Sequence, residues 1–288
     1  MFFTLFVSLF LLGHSLNQLS FSGGGSFGAV EIGILKRLTE LENKKYDIYT
    51  GISAGALNAA FLSYFTDIKK GIRTGEEIYT SLNNRAIYDI LPTTGVSIFN
   101  TLPLHKTLTN IINKMPNKPQ IHTLIGATNL YSGNLDIYNF EDNDDYNKVL
   151  LMMSSSAIPG LFPPIEYNNQ LYADGGTLSN ELLLVETKNK NKYLNITFIS
   201  PYEGYLYNSD PIESLTDMLK RTLTIILSNY NNPLATMNQN CKLPVGEINQ
   251  YFVSSKYLEG YNIMNFDKGQ QLIDIGYNFL QHKKYKIC

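Results

Sequence analysis

Residues 51–55 read Gly51-Ile52-Ser53-Ala54-Gly55, a serine with a glycine two positions to either side. That spacing suits a nucleophile. A serine on a sharp strand-to-helix turn presents its hydroxyl at the edge of a sheet, and a Cβ two residues away on either side would collide with the turn. The helix behind such a serine begins with unpaired N–H groups, which favour negative charge. The same pentapeptide also serves as a plain glycine-rich turn, so a catalytic reading needs partners elsewhere. One is the cluster Gly23-Gly24-Gly25-Ser26-Phe27-Gly28, which also spells Gly-x-Gly-x-x-Gly. A dinucleotide site would need an acidic residue closing the second strand, but that strand ends in Tyr49-Thr50 and Asp47 stands at its start. An oxyanion hole suits the cluster better, because glycines let the main chain approach a ligand and N–H groups at a helix entrance face developing charge. One such donor contributes ~3 kcal/mol to transition-state stabilisation.

A serine nucleophile needs a proton acceptor. The histidines are His14, His105, His122 and His282. The order Ser53, Asp174, His282 would match an α/β-hydrolase triad. In that fold, however, the oxyanion loop and the nucleophile follow well-separated strands, whereas Gly25 and Ser53 are 28 residues apart. A histidine beside two lysines is more commonly solvated. Asp174 is the stronger candidate: Gln170 to Ala173 reads as a short strand delivering it into Gly175-Gly176. An aspartate before two glycines is ordinarily just a turn. Partial burial would raise its pKa into a range where it accepts the serine proton directly.

The elements around these residues alternate. Leu16 to Ser22 reads as a buried strand, Val30, Ile34, Leu38 and Leu41 recur at helical spacing, Tyr46 to Thr50 is a second strand, and Ala54 to about Tyr64 a second helix. A βαβα order means parallel strands with covering helices, so both glycine turns lie at the same carboxyl edge, where α/β sheets bind ligands. Further strands are expected at Ile121 to Thr128, Leu135 to Phe140, Tyr193 to Ser200 and Gln250 to Ser254. Helices are expected from about Asp145 to Ser155, Pro211 to Asn229 and Lys268 to His282. The whole is read as one α/β domain.

At 288 residues the chain can bury roughly three quarters of its unfolded surface. A net charge of −2 speaks against nucleic acid as a partner. Lysines gather near residues 188–192 and 283–286, as on solvated loops and helix ends. Cys241 and Cys288 are too few and too far apart for a zinc site or a disulfide scaffold, although one disulfide between them stays open. Phe2 to Leu12 has the length of a signal-peptide core, with Gly13 and Ser15 at −3 and −1 of a cleavage point after Ser15. Residues 1–15 are therefore read as a signal or short hydrophobic anchor, which would send residues 16–288 to the secretory pathway, the outside or a membrane. No Lys or Arg precedes the apolar run, so a segment packed on a cytoplasmic domain is the alternative. The sequon at Asn195 falls in an expected buried strand and is not expected to be used.

Together these segments resemble the patatin-like phospholipase family over nearly the whole chain from Leu16. Ser22-Gly23-Gly24-Gly25-Ser26-Phe27-Gly28 is similar to its oxyanion loop, Gly51-Ile52-Ser53-Ala54-Gly55 to its nucleophile elbow and Asp174-Gly175-Gly176 to its acid motif. Ser154 to Pro164 resembles the loop before the family's aspartate, and Ala127-Thr128-Asn129 a strand end. The resemblance implies a three-layer α/β/α domain with a mainly parallel central sheet, and no cofactor or metal. It implies lipid acyl-ester substrates, Ser53 as nucleophile, Asp174 as proton acceptor, and backbone N–H groups around Gly24, Gly25 and Ser26 as oxyanion donors. Phe27 departs from the Arg or Lys the family usually carries there, and Glu181-Leu182 follows Asn180 where a proline is common. The departure at Phe27 motivates an inactive lipid- or protein-binding relative as one alternative; an acyl transferase is another. Leu161, Phe162 and Val96 to Leu104 are expected near the active edge, as an acyl pocket, a peripheral membrane contact or plain core. Oligomeric state is not legible.

Overall fold

The computed structural model describes residues 15–90, 95–116, 118–183, 194–204, 206, 211–230 and 245–285. The segment 1–14, the lysines at 188–192 and both cysteines lie outside the described residues. The described chain forms an α/β/α three-layer arrangement around a mixed, largely parallel sheet.

Five strands form the parallel centre: β1 (Leu16–Phe21), β2 (Ile48–Ile52), β3 (His122–Asn129), β7 (Leu194–Glu203) and β8 (Val245–Ser254). The antiparallel strands are β4 (Leu135–Asn139), β5 (Ile165–Tyr167), β6 (Gln170–Asp174) and β9 (Leu280–Tyr285). The order is β5-β6-β3-β2-β1-β7-β8-β9, with β4 also paired to β3. β1 thus sits between β2 and β7, its Gln18 to Phe21 opposite Ile48 to Gly51.

Alternation along β1 decides its two faces. Leu19 and Phe21 enter the main core with Val30, Ile34, Leu35 and Leu38 of helix α1 (Gly28–Leu41) and with Ala56, Ala59 and Ala60 of α2 (Ala54–Leu62). Gln18 and Ser20 face the other way, and together with Thr50 they donate to the carbonyl of Leu182 at 2.9, 3.1 and 2.6 Å. This clasp holds the chain just after the site aspartate against the back of the sheet. Helices α3 (Ile68–Ser81), α4 (Asn84–Ile87), α5 (Leu102–Ile112), α6 (Asp145–Ser155), α7 (Leu215–Tyr230) and α8 (Gly269–Asn278) complete the fold. α8 packs along α1, where Cβ atoms on Gly33 and Gly276 would lie 2.0 and 2.1 Å from facing carbonyls.

One expectation changes. The closing helix stops at Asn278 rather than His282, and 280–285 pairs antiparallel with β8 as an edge strand. Its Tyr285 hydroxyl donates to Gln250 across the ladder, while Lys283 and Lys284 reach Glu203 and Glu247. Lysines on an edge strand discourage further pairing. The strand expected before Asp174 forms as β6 and makes a hairpin with β5 through Asn168 and Asn169, both at positive φ (50° and 56°), the pattern of a type I′ turn.

Candidate active site

Ser53 stands between β2 and α2 at φ 55°, ψ −125°, outside the regions that L-residues favour. Such a conformation costs on the order of 1–3 kcal/mol and persists only where the surroundings enforce it. Close approaches and hydrogen bonds enforce it. A Cβ on Gly51 would lie 2.2 Å from Gly55 O, and one on Gly55 would lie 2.3 Å from Ser22 O, so both glycines are required by close approach. The Ser53 N–H donates to Ser155 Oγ at 2.9 Å, and Ser155 Oγ donates to Gly126 O at 2.7 Å. Ser53 O accepts from Ala56 and Leu57 N–H, closing the first turn of α2.

The Ser53 hydroxyl donates to Asp174 Oδ2 at 2.7 Å. Asp174 ends β6 opposite Ala127 of β3, and its own N–H donates to Ala157 O. Its second oxygen, Oδ1, accepts from Gly176 N–H at 2.7 Å. A Cβ on Gly175 would lie 2.7 Å from Gly126 O, so the Asp-Gly-Gly turn presses on the strand that also anchors Ser155. Ser53 and Asp174 are 4% and 5% exposed, which leaves the pair nearly dry. Burial pushes the Asp174 carboxyl up to about 7, although the Ser53 and Gly176 hydrogen bonds pull the other way.

The glycine loop follows directly from β1, the strand beside β2. Asn180 grips Gly23 from both sides, its Oδ1 accepting from Gly23 N–H at 3.0 Å and its Nδ2 donating to Gly23 O at 3.1 Å. Gly25 has φ 57°, and a Cβ there would stand 2.3 Å from Ile263 O. Among the described residues, neither Gly24 N–H nor Gly25 N–H has a hydrogen-bond acceptor, and Gly25 lines the cavity that contains Ser53. Ser26 differs from its two neighbours: its N–H is engaged by Ile263 O at 2.9 Å and its hydroxyl by Asn262 O. Of the three expected donors, only the two glycines are therefore unengaged among the described residues. Gly28 is held close as well, since a Cβ there would meet the Tyr79 hydroxyl at 2.2 Å. Phe27 is fully buried and packs edge-on against Tyr202, 5.8 Å between ring centres, so its side chain serves the core beneath the loop.

Above the pair lies a cavity of about 160 Å³ lined by Gly25, Ile158, Thr177, Leu223 and Ile226. A narrower slot of about 50 Å³ continues from Ser53 past Leu57, Ile87, Leu104, Phe162 and Phe266. Phe162 and Leu104 thus line the slot and Leu161 joins the core; all three are buried, so none is a side chain that dips into a bilayer. Val96 and Leu102 are exposed.

The described histidines stand apart from this cavity. His105 lies on α5 beside Tyr146, His122 pairs with Glu141, and His282 on β9 bonds Asn249. β9 is four strands from β2, so the Ser53–Asp174–His282 alternative has no geometric basis. No group of three or more His, Cys, Asp or Glu is arranged to hold a metal among the described residues. No described helix is long and apolar enough to cross a membrane.

Sequence reasoning missed Ser155, Asn58 and Glu31. Glu31, fully buried on α1, accepts from Ser22 N–H and Oγ and from Asn58 Nδ2. Asn58 of α2 also donates to Gly28 O and accepts from the Tyr79 hydroxyl. A charged residue in the apolar stripe of α1, four positions from an apolar one in either direction, was the signal that could have found Glu31.

A family model described as Patatin, patatin-like phospholipase, matches residues 19–185. The "Probable lipid hydrolase 463L" of Invertebrate iridescent virus 6 is 27% identical over 194 residues, which cover 59% of this chain and 63% of that relative, less than two thirds of its length. Among solved structures, the crystal structure of VipD from Legionella pneumophila aligns with a TM-score of 0.42 and 14% identity, covering 94% of this chain and 68% of that one. A likeness of that size carries no argument about function.

Proposed function

We propose, from the premise that this chain belongs to the patatin-like phospholipase family, that it is a serine-dependent lipid acyl hydrolase cleaving carboxylic esters of glycerolipids. The observation that carries the proposal is the 2.7 Å hydrogen bond from Ser53 Oγ to Asp174 Oδ2, in a dry pocket beside two unengaged glycine N–H groups. Asp174, poised at about 7, takes the proton as Ser53 Oγ attacks the ester carbonyl. The oxyanion of the tetrahedral intermediate is stabilised by the N–H groups of Gly24 and Gly25. Its collapse breaks the C–O bond to the alcohol, which leaves with the proton held by Asp174, and acyl-Ser53 remains. Asp174 then accepts a proton from water as it attacks the acyl carbon, and returns that proton to Ser53 Oγ as the fatty acid departs.

The apolar slot past Leu57, Leu104 and Phe162 suits an acyl chain. Leu178, Met218, Ile225 and Ile226 are exposed, on α7 and on the turn after Asp174, and such a rim favours docking on a lipid surface. The buried position of Phe27 supports activity over an inactive relative, because the donors of the loop are backbone groups that do not depend on this side chain. An acyl transferase differs only in the acceptor, and product analysis with and without an added alcohol separates the two.

A fluorophosphonate probe tests the proposal. It is expected to label the folded wild-type protein and to leave Ser53→Ala unlabelled. Equal labelling of both proteins, or none of a folded wild type, would overturn it.

A further inference from the structure

Ser155, the last residue of α6, is fully buried, and its hydroxyl sits where the pairing of two strands stops. The β2–β3 ladder runs as far as Ile52 opposite Gly126, and Ser53 is the next residue of the chain. Ser53 N–H donates to Ser155 Oγ at 2.9 Å, and Ser155 Oγ donates to Gly126 O at 2.7 Å. The hydroxyl therefore bridges the departing turn to β3, using its proton in one direction and a lone pair in the other. Asp174 is held by the same stretch of β3. Ala127 lies opposite Asp174 in the ladder, Thr128 Oγ1 donates to Asp174 O at 2.9 Å, and Gly126 O is the atom a Cβ on Gly175 would strike. Residues 126–128 thus carry both members of the pair, Asp174 directly and Ser53 through one hydroxyl.

Burial makes that one hydroxyl hard to replace. Bulk water does not reach Ser155, so without its Oγ the Ser53 N–H becomes a buried donor with no acceptor, at a cost of about 1–3 kcal/mol. That cost matches the strain of order 1–3 kcal/mol which the turn holds at φ 55°. Loss of the bridge therefore lets the turn relax, and rotation of the peptide before Ser53 swings Oγ away from Asp174 Oδ2. A misplacement on the order of 1 Å at a reacting atom costs about 10²-fold in rate. Ser155 lines neither of the two cavities that contain Ser53, so it acts on the reaction only through Ser53. The bridge also occupies the Ser53 N–H, which leaves the oxyanion to Gly24 and Gly25.

We propose that Ser155 is a positioning residue for the ester cleavage: its hydroxyl, bridging Ser53 N–H to Gly126 O, keeps the nucleophile within hydrogen-bond reach of the aspartate that β3 holds independently. The inference rests on the lipid acyl hydrolase reading and adds a residue to its machinery. Among the residues lining the two cavities, the titratable side chain besides Asp174 is Tyr79, whose hydroxyl donates to Asn58 Oδ1, so the rise of activity with pH reports Asp174.

The test is the pH profile of full-length Ser155→Ala on a soluble p-nitrophenyl ester. Its kcat/KM is expected to fall about 10–10²-fold, most of it in kcat. Its midpoint is expected at higher pH than the wild-type value of about 7, because the Ser53 hydrogen bond lowers the Asp174 pKa and a loosened bond withdraws that effect. A kcat/KM within about twofold of wild type would overturn the proposal. So would a reduced rate with an unmoved midpoint, which is the signature of a purely structural serine. Where Ser155→Ala does not fold, Ser155→Cys keeps nearly the volume with a weak donor and acceptor, and is expected to move the midpoint the same way. Fluorophosphonate is expected to label Ser53 of Ser155→Ala more slowly than wild type, and labelling at the wild-type rate would count against the bridge. Failure of the hydrolase reading shows separately, as a folded wild type that is not labelled at all.

Discussion

Asp174 and Glu31 are both carboxylates sealed into the protein, each within one or two contacts of the glycine loop, and burial raises the pKa of both. Their surroundings differ. Asp174 shares Oδ2 with a hydroxyl that lines a cavity, so a reactant can reach the atom that receives the proton. Glu31 lines neither of the two cavities that contain Ser53. Its Oε1 accepts from Ser22 N–H and Oγ, and its Oε2 from Asn58 Nδ2. Asn58 is itself pinned by Gly28 O and the Tyr79 hydroxyl. Glu31 therefore ties the entrance of the glycine loop to the helix behind Ser53, as a strut between the two glycine turns. A raised pKa does not distinguish a base from a strut; access and the donor count do.

The sharpest break of that comparison is Asp174→Asn, which removes the proton acceptor and keeps the shape. Ester turnover is expected to fall at least ~10⁴-fold, as when one member of a nucleophile–base pair is lost, with the circular dichroism spectrum unchanged. A fall of under tenfold would mean that another group takes the proton.

Gly25→Ala attacks the loop that both carboxylates serve. The new Cβ meets Ile263 O, and the positive φ is strained for alanine. Turnover should drop about 10²–10³-fold, the loss typical of one oxyanion donor, with Ser53 and Asp174 unchanged. Retained kcat would remove the loop from the mechanism.

Glu31→Gln is expected to do less, and by a different route. All three partners of Glu31 are donors, so the amide must turn its NH₂ toward another donor, a mismatch of about 1–3 kcal/mol. Expected are a lower melting temperature and a kcat reduced about tenfold, with KM and the pH midpoint unmoved. A shifted midpoint would make Glu31 part of the proton path.

The smallest effect is on stability. The Asp174 carboxyl rises from 3.8 to about 7 on folding, so the folded chain keeps a proton that the unfolded chain loses. The contribution of neutral Asp174 is intact below about 3.8 and drains away as pH rises to about 7. Asp174→Asn stays neutral throughout, so it should exceed wild type by roughly 2–4 kcal/mol at most near pH 8 and show no such gain near pH 3, by denaturant titration. Activity of the wild type should run the other way, rising as Asp174 ionises through about 7.

Much of this arrangement was legible beforehand. Gly51, Gly55 and the order of strands around Ser53 announce the nucleophile turn, because close backbone approach admits only glycine. Val30, Ile34 and Leu38 mark the buried face of α1 by their spacing alone. The closing segment misled, since nothing local in Leu280 to Tyr285 reveals that β8 offers it a ladder. Phe162 reads as acyl pocket, membrane contact or core, because an apolar side chain in a proline-rich loop looks the same in sequence in each; packing places it on the wall of a slot.

The sequence by itself determined which backbone groups can come close, for steric exclusion acts within a few residues and glycine is its visible mark. It thereby set the nucleophile turn, the open loop and the turn that carries Asp174. Only the tertiary structure decided which of those groups are occupied. Ser26 N–H meets Ile263 O across 237 residues of chain, and Asp174 meets Ser53 across 121. A hydrogen bond between distant residues, and the desolvation that tunes the aspartate, exist only once packing has brought their partners together and removed the water between them.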